Sequence, residues 1–486
     1  MEVHGIVEEL LAKRGFSGDA LEAFLDPSIK RLADASRLPG LRDAVDLIVP
    51  YVRAKRRIVV FGDYDCDGVC ASAILALTFR RLGVDVAVFM PDRFTEGYGM
   101  TPASVSRMLR ENPDVALVIT VDCGITSAAE IKFLRDRGIA VIVTDHHMPP
   151  TELPVCDAIV DPKVPSQSEG AEALGAKDLC GAGIAFYLAN VLATRATEEG
   201  LYDGAKFAGP LLVLAGLATV VDIMPLLGQN RVLVANALRA FRSAPVGLTE
   251  LLLRAQRRPV DLTSRDFGFL IGPRINAAGR MASAREALDL IMESDREQAR
   301  LFAYAVDRHN VDRKRVENGM VEEVLSLITE ESPAAVAVNG EGGAASSWHS
   351  GVCGIVASRI LERYGVPVAI AVDGHGSVRA PEGYDVHAAL TACSHLLERF
   401  GGHKAAGGFT VKDGMFEEFS AAFRTVCAKG SRPHGKRVPS GSRRCGFRLA
   451  ISRWSCMSRS RSWSRSARAT RNRFSASGGL CSRTCG

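Results

Sequence analysis

The sequence predicts an α/β protein: a doubly wound, mostly parallel sheet joined through a helical connector to a smaller α/β domain. Three observations predict it. Short apolar runs alternate with helical patterns in the first part of the chain, each run ends abruptly in an aspartate-bearing cluster, and the alternation resumes after a long charged helical stretch. At 486 residues, 47% hydrophobic and 24% charged, the chain is long enough for two or three cores.

Residues 1–45 read as an N-terminal helical segment and 46–235 as the first α/β domain. Within it, Arg57–Phe61 runs into GDYDCDG, Val115–Val121 into DCG, Ile139–Thr144 into DHH and Ala158–Val160 into DPK. All are β-branched or aliphatic, as strands buried on both faces require. Helical patterns over Ala71–Leu82, Ser104–Glu111 and Ser127–Arg137 separate them. Sheets of this kind bind ligands beyond the carboxyl ends of their strands, where the polar clusters fall. From about residue 170 the pattern is mostly helical, including the apolar Pro210–Val221. Residues 236–330 form a helical region and connector that ends in the polar segment Ser294–Ile328, nearly free of Gly and Pro. Residues 331–430 form the second domain. Its expected strands are Val336–Val338, Val366–Val372 and Phe409–Val411, and its expected helices Gly354–Tyr364 and Met415–Cys427. No repeat period is evident.

Composition changes sharply after that. Residues 431–486 contain thirteen Arg, one Lys and no acidic residue, a local +14 against an overall +5, so residues 1–430 are acidic by nine charges. The tail has Ser–Arg alternations and no apolar periodicity. It reads as a disordered basic arm or, more simply, as the product of a shifted reading frame, and no function is assigned to it. No apolar run approaches the ~20 residues of a membrane span. The opening MEVHGIVEELLAKRGF mixes charges with apolar residues, unlike a secretory signal. Eight of the twelve cysteines are scattered between Cys66 and Cys427 without CxxC pairs. That spacing argues against a disulfide framework and structural zinc, and suits a reducing cytoplasm.

The chemistry concentrates in aspartate and histidine. Asp63, Asp65 and Asp67 alternate in DYDCDG immediately after a strand, and carboxylates so close repel unless cations neutralise them. Gly62 and Gly68 would permit the turn that aims them together. An isolated motif of this kind also fits a solvated acidic turn. Calcium binding of the EF-hand type fails because loop position twelve is Ile74. Asp122 in VDCGIT, Asp145-His146-His147 in VTDHH and Asp222 in ATVVDIMPL end further apolar runs, though any one could simply cap a turn. Together they offer a mixed oxygen and nitrogen ligand set suited to two Mn²⁺ or Mg²⁺ ions, and so to hydrolysis of a phosphate ester. Basic and glycine-rich elements follow: Arg274 and Arg280 in GPRINAAGR, Ser377 and Arg379 in GSVRA, and His403 and Lys404 in GGHKAAGGF. An arginine fork matches a phosphate, and glycine lets backbone N–H groups approach it. Tyr98 in DRFTEGYGM is placed either to stack on a base or to fill a core.

With DYDCDG, DRFTEGYGM, VDCGIT, TDHH, ATVVDIMPL, GPRINAAGRM, WHSGVCGIVASRI and GGHKAAGGF in order, residues 20–428 resemble the DHH phosphoesterase superfamily. Within it they resemble the RecJ family of single-strand-specific exonucleases, the last two motifs looking like a DHHA1 domain. The resemblance implies Mn²⁺- or Mg²⁺-dependent 5′→3′ degradation of single-stranded DNA to mononucleotides in recombination and repair. A single-strand-binding protein or a helicase would be the protein partner, and no membrane would be involved. Carried over by motif, Asp65, Asp67, Asp122, His146, His147 and Asp222 look like the catalytic metal site, with Asp63 and Asp145 in or beside it. Arg93, Tyr98, Arg280, Ser377, Arg379 and His403 look like contacts to nucleotide and phosphate. Family members continue into a DNA-gripping OB-fold, whereas here the Arg/Ser tail stands in its place, which implies a weaker hold on long DNA. Two alternatives remain: a DHH/DHHA1 phosphodiesterase of short oligonucleotides or cyclic dinucleotides, and a non-catalytic replication scaffold of the same fold.

Overall fold

The computed structural model describes residues 5–97, 99–204, 208–343 and 346–430. The tail at 431–486 and Tyr98 lie outside the described residues. The described residues form two sheets, each with five strands. The first takes the order β2-β1-β3-β4-β5, with β1 Ile58–Gly62, β2 Ala87–Phe89, β3 Leu117–Val121, β4 Ala140–Thr144 and β5 Ala158–Val160. All of its pairings are parallel. The chain steps from β1 outward to β2, then returns to the other side of β1 for β3, so the direction in which strands are added reverses between β1 and β3. That is where an open α/β sheet leaves a crevice.

Strand alternation sorts the core into two layers. Ile58, Val60, Leu117, Ile119 and Ile142 face a large cluster built with the helices Leu41–Arg53, Cys66–Arg81, Gly181–Glu198 and Ala208–Val221. Val59, Phe61, Val118, Val141 and Val143 face a smaller one under Pro102–Glu111 and Ala128–Arg135. Both faces are covered, as the uninterrupted apolar runs require. No described helix is long and apolar enough to cross a membrane.

The connector is a single helix, Arg296–Leu327, of 32 residues. Its last turns, through Met320 and Val324, join the core of the second sheet. That sheet has the order β6-β7-β8-β10-β9, with β6 Val336–Gly340, β7 Val368–Val372, β8 His375–Arg379, β9 Leu397–Gly402 and β10 Ala406–Val411. Only β6 and β7 are parallel. One face packs on helix Cys353–Tyr364, and the other on Val386–Ala392 and Phe416–Gly430.

Several elements differ from the sequence reading. The helix expected at Ala71–Leu82 starts at Cys66, inside DYDCDG, because Asp65 caps it by accepting from the Asp67 and Gly68 amides at 2.8 and 3.2 Å. Gly68 is therefore the second residue past Cys66 in a helix and not part of an open turn. A side chain there would strike the Asp63 carbonyl oxygen at 2.4 Å, so close approach is what requires glycine. GSVRA forms β8, and GGHKAAGGF folds into the antiparallel β9–β10 hairpin.

Candidate metal centre

The register of the first sheet builds the site. Gly62 pairs with Val121, Val121 with Thr144 and Thr144 with Val160. The next residue on each strand is an aspartate, so Asp63, Asp122, Asp145 and Asp161 line one carboxyl edge. Asp122 adopts φ 60°, a left-handed backbone that aspartate tolerates better than most residues. Asp67, in the first turn of Cys66–Arg81, accepts from the Gly181 and Ala182 amides at 2.7 and 2.8 Å. The positive ends of two helices thus point at the cluster. Gly181 packs so closely that a side chain would sit 2.7 Å from the Asp122 Cβ. Gly181→Ala is expected to destabilise the fold by about 1–3 kcal/mol, the usual range for overpacking, and to weaken Mn²⁺ binding. Denaturant melts with and without Mn²⁺ check both effects.

Histidine closes the site. His146 Nε2 lies 3.0 Å from Asp122 Oδ1, 3.6 Å from Asp222 Oδ2 and 3.7 Å from Asp67 Oδ2. His147 Nδ1 lies 2.7 Å from Asp145 Oδ1 and 4.0 Å from Asp122 Oδ1. Asp145 holds both histidines: Oδ1 accepts from their amides at 2.7 and 3.1 Å, and Oδ2 from the Ile125 amide at 3.0 Å. Three overlapping sets of ligand atoms fall within 4.8 Å: Asp122–His146–His147, Asp67–His146–Asp222 and Asp63–Asp65–Asp122. Residues separated by some 160 positions of chain therefore converge on one locus, with Asp122 and His146 each shared by two sets.

The protein alone does not satisfy this cluster. Burial and neighbouring carboxylates push Asp67 up to about 6 and Asp222 up to about 8, and drive Asp63 and Asp122 well above the carboxylate range. Burial, then the charge of His147, brings His146 down to about 3, so its short contacts with carboxylates are not ion pairs. Asp63 Oδ1, His146 Nδ1 and Asp222 Oδ2 are buried without a hydrogen-bond partner among the described residues. Orphaned oxygens and an unprotonated imidazole, with no thiolate among the three sets, fit hard divalent cations.

A basic wall faces the acidic one. Arg93 lies over the Tyr64 ring at 5.1 Å, and its charge is felt at Asp63, Arg280, His349 and Arg379. Arg280, brought down to about 10 by burial and by Arg93, ends helix Gly272–Met281 and donates to the Gly351 carbonyl at 3.4 Å. Ser377 and Arg379 come from β8, close to Gly354. The other basic candidates are placed differently. Arg274 is a brace, donating to Asp307 at 2.9 Å and to the Leu270 carbonyl at 2.8 Å. His403 and Lys404 sit in the exposed β9–β10 turn, and His403 makes no side-chain hydrogen bond or ion pair among the described residues. Sequence reasoning misses Asn276, whose side chain accepts from the Cys66 amide at 2.7 Å, and Lys163, whose charge is felt at His146 and Asp222. It also leaves Asp161 unassigned, although the DPK that ends an apolar run was the available signal.

Comparison with known proteins agrees with this layout. The DHH family, N-terminal domain, matches residues 57–214, and the DHHA1 domain matches residues 333–429. The single-stranded-DNA-specific exonuclease RecJ of Salmonella typhimurium is 36% identical over 437 residues, 86% of this chain and 74% of that protein. The chain belongs to the RecJ family. The Thermus thermophilus RecJ is 38% identical, and this chain spans 57% of its length. A crystal structure of exonuclease RecJ bound to manganese superposes with a TM-score of 0.70 at 35% identity, covering 84% of this chain and 98% of that one. The crystal structure of Thermus thermophilus RecJ in complex with Mn²⁺ gives 0.69 at 34% identity, with 81% of this chain and 55% of that one covered. This RecJ-family chain is a metal-dependent hydrolase of the nuclease class.

Proposed function

We propose that the protein is a 5′→3′ exonuclease of single-stranded DNA, working with two Mn²⁺ or Mg²⁺ ions in recombination and repair in the cytoplasm. The observation that carries the reading is the convergence of seven ligating side chains, Asp63, Asp65, Asp67, Asp122, His146, His147 and Asp222, opposite Arg93, Arg280 and Arg379. Two ions bound by those seven would neutralise the phosphodiester and activate a water for in-line attack. The chain's own residues do the rest. Asp145 fixes the His147 ring through the 2.7 Å contact between its Oδ1 and the ring Nδ1, which orients the imidazole at the site. Asp67 is held by two helix amides, so its oxygens keep their direction. Arg280, Arg379 and Ser377 supply donors for a terminal phosphate, and Arg93 supplies charge between them and the aspartates. An intact carboxylate set favours this reading over a non-catalytic scaffold.

A length series of 5′-labelled single strands with Mn²⁺ tests it. Release of labelled mononucleotide from strands of every length is the expected result, with turnover declining on long strands if DNA is held weakly. Internal cleavage first, or release from the 3′ end, overturns the polarity. Cleavage confined to dimers through pentamers supports a short-oligonucleotide phosphodiesterase instead.

A further inference from the structure

The donors proposed for the terminal phosphate come from two halves of the chain, and their spacing must be set by something other than the metal ligands. Arg280 ends a helix of the first half, whereas Arg379 and Ser377 belong to the second sheet. Between them runs helix Cys353–Tyr364 with its approach turn. At that turn, a side chain on Gly351 would strike the Arg280 carbonyl oxygen at 2.0 Å. In the helix's first turn, a side chain on Gly354 would lie 2.7 Å from Arg379 Nη2 and 3.5 Å from Ser377 Oγ. Both arginines therefore bear on the entrance of one rigid element.

The same helix is gripped further along by a buried carboxylate that the chemistry does not use. Glu317, with a side chain 2% exposed, sits on the connector helix and accepts from Arg313 one turn earlier and from Arg359 Nε at 2.6 Å across the joint. Arg359 also donates to Asn318 at 2.9 Å, and Arg313 to the buried Asn310 at 2.7 Å. Arg359 lies ~7.5 Å along the helix from Gly354 at the α-helical rise. A tilt at one end is thus delivered to Arg379 at the other.

Adhesion alone does not need this group. Met320, Val324, Val352, Val356 and Ile360 already bury an apolar seam between the two helices. Ion pairs in such seams contribute little net stability compared with apolar residues of the same size, and in some proteins their role is to fix one geometry among several. Glu317 also places a negative charge beside Arg313, whose field, after that of Arg93, reaches Arg280.

We propose that Glu317 is a positioning residue that sets the separation of Arg280 and Arg379, and so the selectivity for a 5′-phosphorylated end; the inference rests on the exonuclease reading above. Glu317→Gln keeps the shape and removes the charge. Because small misplacements of binding groups are costly, KM for a 5′-phosphorylated single strand should rise about tenfold with kcat within about twofold. KM for the 5′-hydroxyl strand and the melting shift on adding Mn²⁺ should stay at wild-type values. Arg359→Gln, at a half-exposed side chain, should reproduce the selective rise if the first variant does not fold. A lower melting temperature with an unchanged ratio of the two KM values would overturn the inference, leaving Glu317 a structural pair only. If the wild type cleaves no single strands, the exonuclease reading fails; equilibrium binding of 5′-phosphorylated and 5′-hydroxyl trinucleotides then decides Glu317, and equal weakening of both overturns it.

Discussion

Replacing Asp122 with asparagine is expected to lower kcat on the order of a thousandfold or more, as when one member of a catalytic unit is removed, while leaving the fold intact. The substitution is chosen for its backbone. At φ 60° alanine would add strain, whereas asparagine tolerates the left-handed region and preserves the shape of the side chain. Asp122 belongs to two of the three ligand sets and approaches His146 at 3.0 Å, so a neutral amide there weakens both halves of the centre at once. Its carboxyl is held well above the usual range by burial and then by Asp67, Asp65, Asp63 and Asp222. Removing one charge from such a group relieves repulsion. The metal-free variant should therefore melt above metal-free wild type at pH 8–9, and the melting shift caused by Mn²⁺ should largely vanish. Single-turnover kinetics and thermal melts with and without Mn²⁺ check the two effects independently. A variant that keeps both near-wild-type turnover and the Mn²⁺ shift would remove Asp122 from the centre.

The opposite signs of those two effects follow from what the sequence expresses and what only the fold assembles. Strands β1, β3, β4 and β5 are legible because each is buried on both faces and so reads as an unbroken apolar run, and because each ends in aspartate. The connector is legible because a polar helix of 32 residues has few competing readings. Strand β2 is only three residues long at the sheet edge, and β8 and β9 are rich in glycine and charge, so neither length nor alternation marks them. The metal-ligating residues are legible as types at strand ends. Their second layer is not. The bond from Cys66 to Asn276 spans 210 positions and that from Gly181 to Asp67 spans 114, and no local pattern encodes either. Arg274 shows the converse: an arginine in a glycine-rich motif resembles a phosphate ligand until the structure pairs it with Asp307.

Metal-free protein is expected to lose stability steadily from pH 6.5 to 9, and Mn²⁺ to restore more of it at the upper end. Asp222 rises from an ordinary 3.8 to about 8 and Asp67 to about 6, both through burial and carboxylate neighbours. An acid whose pKa is higher folded than unfolded favours the folded state only while protonated, so the loss through Asp67 is largely complete near pH 6, below this window, while that through Asp222 continues to about pH 8. His147, raised to about 9 chiefly by Asp145 against the cost of burial, acts in the same direction. Its stabilisation is complete below 6.5 and is lost as pH passes 9, discounted because its side chain is 39% exposed. His146, brought down to about 3, works oppositely, but its contribution is fully present above 6.5 and lost only in acid, so it leaves the window unchanged. Divalent ions bind the ionised carboxylates, hence the melting shift produced by a fixed excess of Mn²⁺ should grow with pH as the protons that compete for the same oxygens depart. Differential scanning fluorimetry at pH 6.5, 7.5 and 8.5, with and without Mn²⁺, reads both trends. A metal-free melting temperature that rises across this interval, or a Mn²⁺ shift that shrinks, would mean that the buried carboxylates are already neutralised by the protein itself. Asp63 Oδ1 and Asp222 Oδ2 have no hydrogen-bond partner among the described residues.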